Sequence, residues 1–99
     1  MSEVKREVVL KKALKVYGEP AQLMMLQEEM GELIQQVSKI YREKSIFSEI
    51  VDEIADVRIM IDQLILILQS KNKKRQVLME IKEREKFKIQ RLSDNLIVR

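Results

Sequence analysis

The chain has 99 residues, the size of one small domain, and it contains no cysteine and no histidine. This composition excludes a disulfide framework, zinc-thiolate sites and all catalysis that depends on histidine, such as the serine and cysteine hydrolase triads. Two glycines and one proline are too few for an architecture of strands and turns, so the composition predicts an all-α fold.

The formal net charge of +3 is unevenly distributed along the chain. Residues 1–18 carry five bases and two acids, residues 19–62 four bases and ten acids, and residues 63–99 ten bases and four acids. An acidic middle between basic ends is typical of a metal site next to a phosphate-binding surface. It is equally typical of an ordinary protein with solvated faces.

No segment has the pattern of a membrane span or a signal peptide. The longest apolar segment, Ile59–Leu68, is too short to cross a bilayer and contains Asp62 and Gln63. The first fourteen residues interleave charges with aliphatic side chains, unlike the apolar core of a signal peptide. We therefore expect a cytoplasmic protein that makes no membrane contact.

Four helices are predicted in chain order. The first occupies residues 1–18, with Ser2 as its N-cap and Gly18 after its last turn. Residues 20–69 form an antiparallel pair, in which a helix from Pro20 to about residue 42 is followed by a short loop and a helix from about residue 48. A basic loop then leads to a charged helix over residues 76–92, and residues 93–99 form a fraying tail.

The third helix is apolar almost all round in its second half, from Ile59 to Leu68. A helix of this kind needs cover on most of its sides, and four helices of one 99-residue chain can hardly supply it. We therefore expect one domain over residues 1–99, a four-helix bundle-like protomer completed by homo-oligomerisation through Ile59–Leu68.

Two pairs of carboxylates are the strongest functional signal. Glu29 and Glu32 are three residues apart on the second helix, and Glu53 and Asp56 repeat that spacing on the third. Each pair lies on one helix face, and the antiparallel pairing of the helices brings the two faces together. No base accompanies the acids between residues 20 and 36, so repulsion calls for a cation, and oxygen ligands without nitrogen or sulfur favour Mg²⁺ or Mn²⁺. Gly31 indicates close approach by a ligand or another backbone, or a tight helix crossing.

The segments around these pairs, EEMGEL at 28–33 and DEIADV at 52–57, resemble the two motifs of a known family. That family is the all-α MazG-type nucleoside triphosphate pyrophosphohydrolases, a superfamily that includes dimeric dUTPases, dCTP pyrophosphatases and phosphoribosyl-ATP pyrophosphohydrolase. The resemblance implies a MazG-type fold and hydrolysis of the α–β phosphoanhydride of a (d)NTP to the monophosphate and pyrophosphate. It also implies a dimer or tetramer, with a nucleoside triphosphate as substrate.

The resemblance also implies roles for individual residues. The Mg²⁺ ligands are Glu29, Glu32, Glu53 and Asp56. The acid-base candidates that activate water are Glu28 and Glu29. The substrate-binding candidates, which match the family's pattern less well, are Gln22, Lys39, Lys82, Lys86 and Arg91.

Two other functions compete with a pyrophosphohydrolase. The apolar segment Ile59–Leu68 suits a non-catalytic helical oligomer that acts as a binding or regulatory module. The basic C-terminal third suits a nucleic-acid binder, although its acids alternate with its bases and it lacks interleaved aromatic residues.

Overall fold

The computed structural model describes residues 3–98, and the side chains of residues 5–97. Over that range the chain forms four α-helices and no strand: α1 (Glu3–Tyr17), α2 (Glu19–Tyr41), α3 (Phe47–Lys71) and α4 (Val77–Val98). The prediction of an all-α chain of four helices is confirmed. The predicted N-cap Ser2 lies outside the described residues.

Gly18 separates α1 from α2. Its N–H donates to the carbonyl of Leu14 at 2.9 Å, which completes α1, and its carbonyl accepts from the N–H of Gln22 at 3.2 Å, which opens α2. Between these two bonds Gly18 has a backbone φ of +87°, a left-handed conformation that glycine adopts without strain. Pro20 follows in the first turn of α2, where its missing N–H removes no helical hydrogen bond.

The chain divides into two compact units, residues 1–67 and residues 68–99. The first unit contains α1, α2 and most of α3. Its buried apolar side chains come from α2 and α3: Leu26, Val57, Met60 and Ile67. The small number of fully buried residues shows that this unit depends heavily on a few interhelical contacts.

Two polar contacts supplement the apolar core of the first unit. Gln63 on α3 donates from Nε2 to Oε1 of Gln22 on α2 at 3.1 Å, and both side chains are buried. Arg6 on α1 donates from Nη2 and Nε to Oδ2 of Asp62 on α3, at 2.7 and 3.2 Å. The Gln22–Gln63 bond is worth more than the ion pair, because half-exposed charges are screened by water.

The segment Ile59–Leu68 is mostly covered within the chain. Met60, Gln63 and Ile67 are buried, residues 64–66 are half-buried, and only Ile59, Ile61 and Leu68 are exposed, at 37–41%. Because most of this segment is covered within the chain, its burial gives a weaker reason for oligomerisation than the sequence indicated. Oligomerisation through this segment stays a prediction.

The second unit consists of the last turn of α3, a basic loop and α4. Gln69 organises the loop: its amide nitrogen donates to the carbonyls of Asn72 and Arg75, and its amide oxygen accepts from the N–H of Val77 at 3.0 Å. The Arg75 guanidinium binds the Glu80 carboxylate through two hydrogen bonds, which lower the pKa of Glu80. The loop is thus held at both of its ends.

The prediction of a tail at residues 93–99 is wrong for residues 93–98, because α4 continues to Val98. No glycine or proline interrupts the sequence there, and the Gln90 amide donates to the Asp94 carboxylate one turn later at 2.9 Å. Within the described chain, none of these helices is long and apolar enough to cross a membrane.

The Gln22–Gln63 contact generates a stability prediction. Gln63→Leu leaves the buried Gln22 oxygen without its donor, so the free energy of unfolding should fall by about 1–3 kcal/mol. The double substitution Gln22→Leu/Gln63→Leu removes both polar groups and should recover part of that loss. Urea denaturation measures both changes.

Gln27→Leu is the matched control, since Gln27 is an exposed glutamine of α2. It should change the free energy of unfolding by less than about 0.5 kcal/mol. A double variant no more stable than Gln63→Leu would show that the pair does not act as a unit.

Candidate metal centre

The carboxylate pairs of α2 and α3 meet in the first unit. One carboxylate oxygen each from Glu29, Glu53 and Asp56 lies within 4.8 Å of the others. The carboxyl of Glu32 lies close enough to this group to raise the pKa of Glu53. We call these four residues the carboxylate cluster. Two residues from each helix contribute, because i, i+3 spacing places both members of a pair on the same helix face.

The cluster is partly shielded from water. Glu29 and Glu53 are half-buried, whereas Glu32 and Asp56 are exposed. Oε2 of Glu29 and Oε2 of Glu53 are buried, and neither has a hydrogen-bond donor among the described residues. Buried carboxylate oxygens without a donor are costly, so a proton or a cation must accompany them.

No basic side chain is among the groups that shift the pKa values of Glu29 and Glu53. Arg6 and Lys11 of α1 pair with other acids, Asp62 and Glu7. Hydrogen bonds with Glu32 and Glu29, burial and the neighbouring negative charges together raise the pKa of Glu53 to about 7. Burial also raises the pKa of Glu29, and the charges of Glu32 and Asp56 add to the effect.

These raised pKa values have a simple chemical meaning. With a pKa raised to about 7, the Glu53 carboxyl of the metal-free cluster keeps its proton up to a pH at which exposed carboxyls have released theirs. A divalent cation can replace that proton and offset more charge.

The donor set fits a hard cation. All the available donors are carboxylate oxygens, which Mg²⁺ and Mn²⁺ prefer, and they come from two different helices. Mg²⁺ binds oxygen at about 2.0–2.1 Å in octahedral geometry, so ligand oxygens lie about 3–4 Å apart. Oxygens already within 4.8 Å of one another need only small side-chain adjustments to reach that spacing.

Gly31 lies between the two glutamates of α2, and the sequence favoured a close approach at this position. In the structure, a Cβ added at residue 31 would have no neighbour within 4 Å. Neither a backbone nor a helix crossing within the described chain requires glycine here.

The other predicted site residues have different environments. Glu28 is exposed on α2 beside the cluster, and Lys39 is half-buried near the end of α2. Gln22 is buried against Gln63, so its amide oxygen serves an interhelical bond. The remaining three are exposed on α4 in the second unit: Lys82, Lys86 and Arg91.

Gln36 is a further candidate for the functional site, and the two motifs do not include it. Its amide oxygen is buried and has no hydrogen-bond donor among the described residues. Gln36 follows Glu29 by seven residues, two helical turns, and therefore lies on the same face of α2 about 10 Å further along. The seven-residue spacing from the first motif was the signal that could have identified it.

Comparison with protein-family models, with curated proteins and with solved structures finds no match to this chain. The geometry of the carboxylate cluster is therefore the main evidence on function.

The raised pKa of Glu53 predicts how stability depends on pH in the metal-free protein. Below pH 4.5 the Glu53 carboxyl is protonated in both the folded and the unfolded chain. Between pH 4.5 and about 7 the unfolded chain releases this proton and the folded chain retains it. The free energy of unfolding should therefore fall as pH rises through this window, and Glu29 contributes in the same direction.

Urea denaturation in the presence of a chelator, from pH 4.5 to 8, measures this effect. Glu53→Gln should flatten the decline, because glutamine does not titrate. Glu49→Gln is the control, since Glu49 is an exposed acid of the same helix, and it should retain the wild-type profile. Equal profiles for Glu53→Gln and the wild type would show that the cluster does not hold the proton.

Proposed function

We propose that this protein is a Mg²⁺-dependent nucleoside triphosphate pyrophosphohydrolase, which cleaves a (d)NTP between its α and β phosphates. The observation that carries the proposal is the carboxylate cluster, in which oxygens of Glu29, Glu53 and Asp56 lie within 4.8 Å of one another. The resemblance of segments 28–33 and 52–57 to the MazG-type motifs supports the same reaction.

In this proposal Glu29, Glu32, Glu53 and Asp56 hold the metal, and Mn²⁺ can replace Mg²⁺. When bound, the cation neutralises the charge of the polyphosphate and polarises the phosphoryl group that is attacked. The buried oxygens of Glu29 and Glu53 support this assignment, because they have no other partner among the described residues.

The protein's own side chains supply the proton transfer. An attacking water must lose a proton as it bonds to phosphorus, and a carboxylate within hydrogen-bonding reach is the only kind of base that a chain without histidine offers near the cluster. Glu28 and Glu29 fill this role, Glu28 because it is exposed beside the cluster and Glu29 because it lies within it.

The resemblance assigns phosphate binding to basic side chains. Lys39 follows the first motif on α2 in the first unit, and Lys82, Lys86 and Arg91 are exposed on α4 in the second unit. Gln22 is the remaining substrate-binding candidate, and its buried amide oxygen already accepts a hydrogen bond from Gln63. We place the enzyme in the cytoplasm as a homo-oligomer, where it removes or redirects nucleotides.

A non-catalytic helical oligomer is the competing proposal, and a specific observation favours it. Large apolar side chains on α2 remain open in the single chain: Ile34 is 69% exposed and Tyr41 is 86% exposed. Such a surface suits a protein partner as well as a second subunit. Metal dependence distinguishes the two proposals, because a binding module needs no cation.

The proposed reaction predicts pyrophosphate release from a panel of canonical and modified (d)NTPs with Mg²⁺. Glu53→Gln should lower kcat/KM by roughly 100-fold or more, because it removes a charge that the transition state requires. Glu49→Gln should retain near wild-type activity. Absence of pyrophosphate release from every nucleotide with either Mg²⁺ or Mn²⁺ would refute the proposal.

Metal binding should also raise the melting temperature without any substrate. At a Mg²⁺ concentration about 100 times Kd the stabilisation is about 2.7 kcal/mol, and each kcal/mol shifts Tm by about 4–8 °C in a chain of this size. The shift should shrink in Glu53→Gln and persist in Glu49→Gln. An unchanged Tm in the wild type would favour the binding module.

A further inference from the structure

Helix α4 carries an apolar stripe that its own unit leaves largely open. Leu78, Ile89, Leu92 and Leu96 are 48–65% exposed. Together with two positions between them they form a row of six, which we call the α4 stripe: Leu78, Ile81, Glu85, Ile89, Leu92 and Leu96. Successive members are 3, 4, 4, 3 and 4 residues apart, an eleven-residue repeat that keeps the row on one side of a nearly straight helix.

The order of residues in the α4 stripe is nearly the same when it is read backwards. Leu78 and Leu96 lie at equal distances on either side of residue 87, as do Glu85 and Ile89, and Ile81 and Leu92 lie within one residue of the same symmetry. Two copies of α4 that run antiparallel and cross at residue 87 would therefore match leucine with leucine and isoleucine with leucine, and would place Glu85 next to Ile89 at the centre. Self-complementarity of this kind is what a two-fold interface requires.

One pair of charges interrupts the α4 stripe. Glu85 is a member of the α4 stripe, and Lys88 lies at its border one turn later. Both side chains line an open groove of about 540 Å³. Neither has an ion-pair partner within the described chain. In an antiparallel pair centred on residue 87, Glu85 of each copy lies beside Lys88 of the other. The two contacts are equivalent by symmetry, so both charges find a partner at once.

We infer that the α4 stripe is a self-association surface and that its occupant is α4 of a second copy, in antiparallel orientation. The matched apolar positions and the complementary charges at its centre carry this inference. It differs from an interface through Ile59–Leu68 in both location and residues. It also stands independently of the proposed enzymatic activity, because none of the carboxylate cluster takes part.

Charge reversal tests the inference with the full chain in sedimentation equilibrium. Glu85→Lys places a lysine beside Lys88 in each of the two symmetric contacts, so self-association should weaken by about tenfold or more. The double variant Glu85→Lys/Lys88→Glu recreates opposite charges across the interface and should restore association. Glu83→Lys makes the same change of charge on the opposite face of α4 and should associate like the wild type.

The expected result is a loss of one association step in Glu85→Lys, dimer to monomer or tetramer to dimer, with recovery in the double variant. Circular dichroism should show the same helix content in all four proteins. A monomeric wild type, an unchanged Glu85→Lys, or a double variant that stays dissociated would each overturn the inference.

Cysteine cross-linking tests the antiparallel orientation, since the chain has no cysteine of its own. A mixture of Leu78→Cys and Leu96→Cys proteins should form the mixed disulfide dimer on oxidation. Leu78→Cys alone should not cross-link, because the two positions 78 lie about 27 Å apart in the antiparallel pair. Efficient cross-linking of Leu78→Cys with itself would indicate a parallel pair and would overturn the inference.

Discussion

Mutual repulsion among the carboxylates of α2 and α3 is the constraint that shapes the first unit. Helix packing holds oxygens of Glu29, Glu53 and Asp56 within 4.8 Å, although no base of the described chain is paired with them. The buried contact between Gln22 and Gln63 and the apolar side chains around it must offset this repulsion. Proton retention by Glu53, or a bound cation, relieves it further. Stability and chemistry therefore meet at the same four residues.

The two units differ in their balance of acidic and basic residues. Residues 68–99 carry ten bases and four acids, and residues 1–67 carry nine bases and twelve acids. In the first unit, acids of α2 and α3 meet in the carboxylate cluster, which we propose holds a cation. In the second unit, Glu85 and Lys88 lie at the α4 stripe, where we infer that they select a second copy of α4.

Local sequence signals predicted the existence of the helices best, and predicted the burial and neighbours of individual side chains least well. Gly18 and Pro20 marked the break between α1 and α2 because backbone conformation at a glycine and a proline depends little on distant residues. The end of α4 was placed six residues too early, because the last residues of a chain were expected to fray. For the candidate site, i, i+3 spacing identified the acidic residues that meet. It could not show that Gln22 is buried or that the amide oxygen of Gln36 is buried without a donor among the described residues.

The sequence by itself determined an all-α chain, the pairing of acids on single helix faces and the absence of nitrogen or sulfur side chains of the kind that bind zinc. These properties follow from composition and from the 3.6-residue helical period, both of which are local. The tertiary structure decided the rest: Glu29 and Glu53 became half-buried, Glu32 and Asp56 stayed exposed, and the apolar segment Ile59–Leu68 was largely covered. The rotation and stagger of one helix against another depend on the side chains that fill the space between them, and no period along the chain specifies that.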